Sequence, residues 1–188
     1  MANDNEIDSA VGDEPISLRS YDPAWPGQFQ REAELLTEAL GSHITGGVHH
    51  VGSTAVPGLT AKPIIDIMIG VPDLDSSRPC IDLLGGLNYC YAPHRQEVMH
   101  WFCKPNPAHR THHLHLVPTG SQRFIDVLAF RDYLRAHPHA VRQYEQLKRQ
   151  LAIRHAHDRD AYTDGKGAMV AAITADARRW LATTEPAE

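Results

Sequence analysis

Residues 50–69 read HVGSTAVPGLTAKPIIDIMI, a stretch whose residue types and spacing could do chemistry. The pair Gly52-Ser53 closes a short apolar run, and Asp66 then stands alone inside IIDIMI, a strand-like segment rich in β-branched residues. A lone carboxylate among apolar residues is costly unless a partner or a cation meets it. Its partner must therefore come from elsewhere in the chain. Glycine-rich loops hold phosphate by presenting backbone N–H groups with no side chain in the way. The P-loop pattern needs a lysine directly after its second glycine, whereas Lys62 lies four residues beyond Gly58 and is followed by Pro63, so that pattern is excluded. Read locally, the same residues also serve as a tight loop with an aspartate capping a neighbouring backbone.

Candidate partners for Asp66 occur in THHLHLV. His113 and His115 are two apart in an alternating run, so their imidazoles project from one strand face, with His112 on the other. With Asp66 they would make a two-histidine, one-carboxylate set suited to Zn²⁺, Mn²⁺ or Fe²⁺. The alternative is that these histidines bond carbonyls in a half-buried strand, or touch a substrate phosphate with no metal between. Both readings stay open. His50 shares a face with Gly52 and is a further residue that could reach a cleft or act as a cap. Cations for an anionic substrate are available from Lys62, Arg131, Lys148 and Lys166; on helix faces, Arg131 and Lys148 could equally be solvated charges. Tyr162 and Lys166 are four apart on an expected last helix and so share a face. Asp132 is a local counter-ion for Arg135, and Trp25, Phe29, Phe124, Phe130, Tyr133 and Tyr144 read as packing residues.

The elements that must position these groups follow from punctuation and period. Asp22 and Pro23 open a helix that carries Trp25, Phe29, Leu36 and Leu40 until Gly41, after a short edge strand at ISLRS. GGVHHV and KPIIDIMIGV are strands, a helix runs from about Asp75 to Leu84, and NYCYA and VMHWFCK are strands joined by PHRQE. After the loop PNPAHRT and the strand HHLHLV the character turns helical. The segments are FIDVLAFRDYLRAH, then a helix broken from it near Pro138, then one from about Asp160 to Leu181. The layout predicts one α+β domain over residues 16–181: a mixed sheet of four or five strands, helices on one face, and a helical C-terminal third. Residues 1–15 read as a flexible arm and 182–188 as a loose tail.

The chain of 188 residues carries a net charge of -5 with histidines neutral, which argues against a general nucleic-acid surface while leaving room for a local basic pocket. Its 13 histidines would reverse that sign at mildly acidic pH. The three cysteines, Cys80, Cys90 and Cys103, have neither zinc nor disulfide spacing, and reduced thiols point to the cytoplasm. No apolar run is long enough to span a membrane, and the acidic start is unlike a signal peptide.

HVGSTAVPGLTAKPIIDI resembles the signature of the GrpB (UPF0157-type) family, a bacterial group related to the nucleotidyltransferase superfamily. The resemblance continues through YDPAWPGQF, THHLHLV, LAFRDYLRAHP, YEQLKRQLA and AYTDGKGAMV, covering about residues 16–181 in order. It implies a nucleotidyltransferase-like fold in which Gly52-Ser53 and Asp66 lie near nucleotide phosphates and a divalent metal, Zn²⁺, Mn²⁺ or Mg²⁺. Ser53 and Asp66 would be the catalytic residues. Nucleotide contacts would come from Gly52, Ser53, Lys62, Arg131, Lys148, Tyr162 and Lys166, and metal ligands from Asp66, His113 and His115. The implied reaction passes a nucleotidyl group from an NTP to a small-molecule acceptor, or adenylates a carboxylate. The alternative is a non-catalytic nucleotide- or CoA-binding module, since some relatives are fused to dephospho-CoA kinase. One departure bears on that choice. Fully equipped nucleotidyltransferases carry a second acid two residues after the first, and here that position is Met68, a poor magnesium ligand.

Overall fold

The computed structural model describes residues 15–184, so most of the predicted arm and the last four residues of the predicted tail lie outside the described residues. In chain order the elements are α1 (Trp25–Leu40), β1 (Val48–Val51), β2 (Ile65–Val71), α2 (Cys80–Gly85), β3 (Cys90–Tyr91), β4 (His100–Pro105) and β5 (Arg110–Pro118). The helical third follows as α3 (Gln122–Ala136), α4 (Pro138–Arg154), α5 (Arg159–Asp164) and α6 (Gly167–Thr184). Asp22 Oδ1 accepts the Ala24 amide at 2.8 Å ahead of α1, and Gly41, at φ 47°, closes it. His137 separates α3 from α4, with Pro138 opening the second helix, as its fixed φ favours.

Several boundaries differ from the sequence reading. ISLRS forms a single bridge, Arg19 to Ala61, in place of an edge strand. The helix expected from Asp75 shrinks to α2 because the Asp73 carboxylate takes the Ser76 amide and hydroxyl, both at 2.8 Å, and holds the preceding residues in turns. β5 begins at Arg110 and β4 runs to Pro105, so the expected PNPAHRT loop narrows to residues 106–109. The last helix is two: it breaks at Gly165-Lys166, where a Cβ on Gly165 would meet Leu151 Cδ2 of α4 at 2.6 Å. A side chain at the break would collide with the Leu151 side chain of α4. α6 then continues to Thr184, beyond the expected end of the domain.

The five strands lie in the order β1-β2-β5-β4-β3, with β2 and β5 parallel and the other neighbours antiparallel. The β2–β5 register pairs Asp66 with His113 and Met68 with His115. Paired residues share a sheet face, so strand alternation sorts the whole sheet. Ile65, Ile67, Ile69, Leu114, Leu116 and Phe102 turn to one side, where they form the main core with Leu36 and Leu40 of α1 and Leu84 of α2. Asp66, Met68, His113, His115 and Val117 turn to the other. That second face is not bare: Phe124, Val127 and Leu128 of α3 close one end of it by packing on Val51, Met68 and Val117. Helices thus reach both faces, which the expectation of helices on one face did not include. A second small core, from Val56 and Leu59 to Leu134, Tyr144 and Ile173, ties the loop after Gly52 to α3, α4 and α6. Between the clasped loop, the polar sheet face and the helical third lies a cleft.

Candidate functional site

Asp66 opens onto three adjoining hollows in that cleft. Its side chain is 28% exposed, and its Oδ1 lies 2.9 Å from Nδ1 of His113. Burial acts to raise the Asp66 carboxyl, but the hydrogen bond and charge of His113, with lesser help from His115 and Lys62, outweigh it and hold the group below the usual carboxylate range. An ionised carboxylate only accepts, so His113 donates through Nδ1–H. Its Nε2 is left buried without a hydrogen-bond partner among the described residues, against the tilted ring of Trp101. The lone acid of the apolar strand has its partner one strand away, held by register.

His115 points into the same cleft two residues along, but its Nδ1 lies 3.4 Å from Met99 Sδ, and among the described residues no hydrogen bond joins it to Asp66. Burial pushes its imidazole down to about 3, so the ring is neutral at physiological pH. Among the described residues no three His, Cys, Asp or Glu side chains converge as a metal-binding group. Directly paired parallel strands bring Asp66 and His113 together as a hydrogen-bonded couple. The expected two-histidine, one-carboxylate centre is therefore not preformed.

The loop after β1 is shaped around Asp66. Gly52 has φ 68°, and a Cβ there would sit 2.2 Å from Asp66 Oδ2. Gly52→Ala therefore combines left-handed strain with a clash on the acid, and denaturant unfolding should show a loss of about 2–4 kcal/mol. An unchanged midpoint would mean that the loop moves freely away from the carboxylate. Arg131 and Arg135 of α3 hold this loop from the side. Arg131 donates to the His50 carbonyl at 3.2 Å and takes both carboxylate oxygens of Asp132, at 2.7 and 2.8 Å. Arg135 donates to the Ala55 carbonyl at 2.9 Å. Arg131 lines none of the three hollows, so its guanidinium positions the loop. His50 also turns away, stacked on Phe29 of α1 and bonded to Thr54 at 3.0 Å.

The smallest hollow, about 70 Å³, gathers Ser53, Lys62, Lys148, Tyr162 and Lys166 beside Asp66 and His113. Lys148 reaches it from α4, only 2% exposed, donating to Ser53 Oγ at 3.1 Å and to the Thr60 carbonyl. Burial, aided by the charge of Lys166, pushes its ammonium down to about 7. Lys62 is driven down to about 8 by burial and then by Lys166 and Arg159. Lys166 is lowered by burial against the pull of Asp66. Lys62 and Lys166 both approach the Tyr162 ring, at 5.2 and 4.3 Å from its centroid, so the pairing expected of Tyr162 and Lys166 persists across the helix break. Lysines this enclosed are poised for an anion that would restore their charge.

Next to it a wider hollow of about 500 Å³ is lined by Lys62, Arg95, Arg110, Arg123, Arg159 and Lys166, with Asp66 and Asp160 as its acids. The four arginines escape sequence reasoning because they come from separate segments with no shared motif, and only folding brings them to one wall. On the far side of Asp66 lies a third hollow of about 240 Å³, apolar along Val51, Met68, Val117, Val127, Phe130 and Val170. In a chain of net charge -5, cations from both hollows thus gather around Asp66, with Asp160 the other acid of the wider one. Among the described residues no helix is long and apolar enough to cross a membrane.

A family model described as GrpB protein matches residues 15–176. The chain is 43% identical over 171 residues to a UPF0157 protein of Pseudomonas aeruginosa, across 88% of this chain and 69% of that relative. It is 32% identical over 165 residues to the UPF0157 protein YqkA of Bacillus subtilis, across 88% of this chain but only 48% of that longer relative. The crystal structure of the conserved protein GrpB from Enterococcus faecalis has the same fold, with a TM-score of 0.79 and 34% identity over 87% of this chain and 99% of that one.

Proposed function

The chain belongs to the GrpB family, and from that premise we propose that its cleft binds a nucleoside triphosphate and passes the nucleotidyl group to a small acceptor. The observation that carries this reading is the gathering of Ser53, Lys62, Lys148 and Lys166 in one enclosed hollow beside an ionised Asp66. The Ser53 hydroxyl and the three ammonium groups bind phosphate oxygens, and the wider arginine-lined hollow offers charge for the rest of the polyphosphate. His113 positions Asp66 and helps keep it ionised. Magnesium is commonly held by one or two carboxylates plus substrate phosphates, and Asp66 supplies one such oxygen donor. A cation bound in that way would neutralise charge as pyrophosphate departs.

Met68 favours a second reading, a nucleotide- or CoA-type binding module without turnover. It is 1% exposed in an apolar patch where a two-acid strand would carry its second carboxylate. Incubation with labelled NTPs, Mg²⁺ or Mn²⁺ and a metabolite pool separates the two. Transfer releases pyrophosphate, whereas a binding module gives nucleotide-dependent thermal stabilisation and no pyrophosphate. Absence of both signals would remove the nucleotide from the cleft altogether.

A further inference from the structure

The hollow on the far side of Asp66 is built for something other than phosphate. Its walls are Val51, Met68, Val117, Val127, Phe130 and Val170, and its 240 Å³ falls below the roughly 300–1,000 Å³ of drug-sized pockets, so it suits a small molecule. Met68 forms part of the floor, so the residue that replaces a second acid also makes this space apolar. Its polar lining comes from several elements: Asp66 and His115 on the sheet, Arg123 and Asp126 on α3, Tyr144 on α4 and Thr174 on α6. Asp126 there is already held by Arg178 through both carboxylate oxygens and by Gln122 at 2.8 Å. Arg123 differs: it lines both this hollow and the cationic one, and among the described residues its guanidinium has no hydrogen-bond or ion-pair partner. A half-buried guanidinium between an apolar chamber and a phosphate-binding cleft is a fork for a planar anion.

We propose that this hollow is the acceptor subsite and that it takes a small monocarboxylic acid with a branched or aromatic body, its carboxylate held by Arg123 at the boundary with the nucleotide. The assignment of the nucleotide side rests on the function proposed above; the carboxylate subsite does not. In the combined site a carboxylate oxygen attacks the α-phosphorus of the NTP, forming an acyl–phosphate bond. The bond from the α-phosphorus to the bridging oxygen breaks, and its electron pair leaves on pyrophosphate. A carboxylate is already ionised, so the step needs no base. That accords with a wall whose two carboxylates, Asp66 and Asp126, are both already committed and whose imidazole, His115, is neutral. Burial and the charge of Arg95 work against the Arg123 cation, Asp126 offsets them only in part, and a bound carboxylate would add to that offset.

Binding of phenylacetate and isovalerate, each compared with its amide, can be measured on the full chain without nucleotide by ligand-observed NMR and calorimetry. The carboxylates should bind about 10- to 100-fold more tightly than the amides, the range for a charge-assisted contact. Arg123→Gln should erase that preference, and Val170→Phe, which fills the hollow, should remove binding of both. Triphosphate-dependent thermal stabilisation is followed in the same samples, with circular dichroism as the check on folding. No carboxylate binding by the folded wild-type chain, or an intact carboxylate preference in folded Arg123→Gln, overturns the subsite. Carboxylate binding without any response to triphosphate would preserve the subsite and defeat the nucleotide reading instead.

Discussion

Asp66→Asn should cut metal-dependent pyrophosphate release by about 100- to 1,000-fold, the usual scale for removing a charge-stabilising group from a reacting centre. The same substitution should leave metal-free triphosphate binding as tight as before, or tighter. The two effects have opposite signs because Asp66 has opposite relations to the two ligands. Its carboxylate is held ionised by His113 and lies among Lys62, Lys148 and Lys166, so without a cation it repels the phosphates those lysines attract. Asparagine keeps an oxygen to accept from His113 Nδ1–H, so the strand pairing and the histidine remain supported. Pyrophosphate assays and metal-free calorimetry read the two arms. Undiminished turnover would exclude Asp66 from the chemistry. A collapse of metal-free binding in a folded variant would mean that the phosphates do not face this acid.

Binding of triphosphate should be accompanied by proton uptake, and affinity should fall as pH rises through about 7 to 8, the positions to which Lys148 and Lys62 are pushed in the free protein. An anion restores the favoured charge of these lysines and raises them again, so protons enter on binding wherever the free groups are partly neutral. Folding has the reverse dependence. Above about pH 7 the unfolded chain, with lysine near its ordinary 10.5, binds more protons than the native one, so native stability gains as pH climbs from there towards 10.5. Lys148→Met tests both halves. It removes a buried ammonium whose displacement corresponds to roughly 4–5 kcal/mol at neutral pH. It leaves the Thr60 carbonyl and Ser53 hydroxyl without their donor, a loss of about 1–3 kcal/mol. The variant should therefore be more stable by about 2 kcal/mol and yet bind triphosphate at least ~100-fold more weakly. Calorimetry in buffers of different ionisation enthalpy gives the proton count, and urea unfolding gives the stability. No proton uptake, together with unchanged affinity in Lys148→Met, would show that Lys148 is a structural lysine.

Much of the polar half of this site is legible in the sequence because strand geometry is local. Side chains two apart share a face, so His113 and His115 must point the same way, and an isolated Asp66 in an apolar strand demands a partner. Gly52 beside Ser53 marks a backbone that approaches something closely, and that something is Asp66 itself. Tyr162 and Lys166 meet as their spacing predicts, although the helix carrying them is broken. Lys148 shows where pattern alone falls short. Its sequence neighbourhood is that of a solvated helix charge, yet α4 lays it against the Gly-Ser loop and buries it.

The chain by itself determined the elements, the family and the demand for a partner at Asp66, since each follows from short-range alternation, turn residues and motif order. Tertiary structure decided which partner answers that demand. The in-register pairing of β2 with β5 gives Asp66 to His113 and turns His115 beside Met99, a choice that depends on strands far apart in sequence. It also sent Arg131 to the loop carbonyls and drew Arg95, Arg110, Arg123 and Arg159 to the cleft wall. Long-range packing alone sets which surface charges are pressed together, because their positions follow no period along the chain.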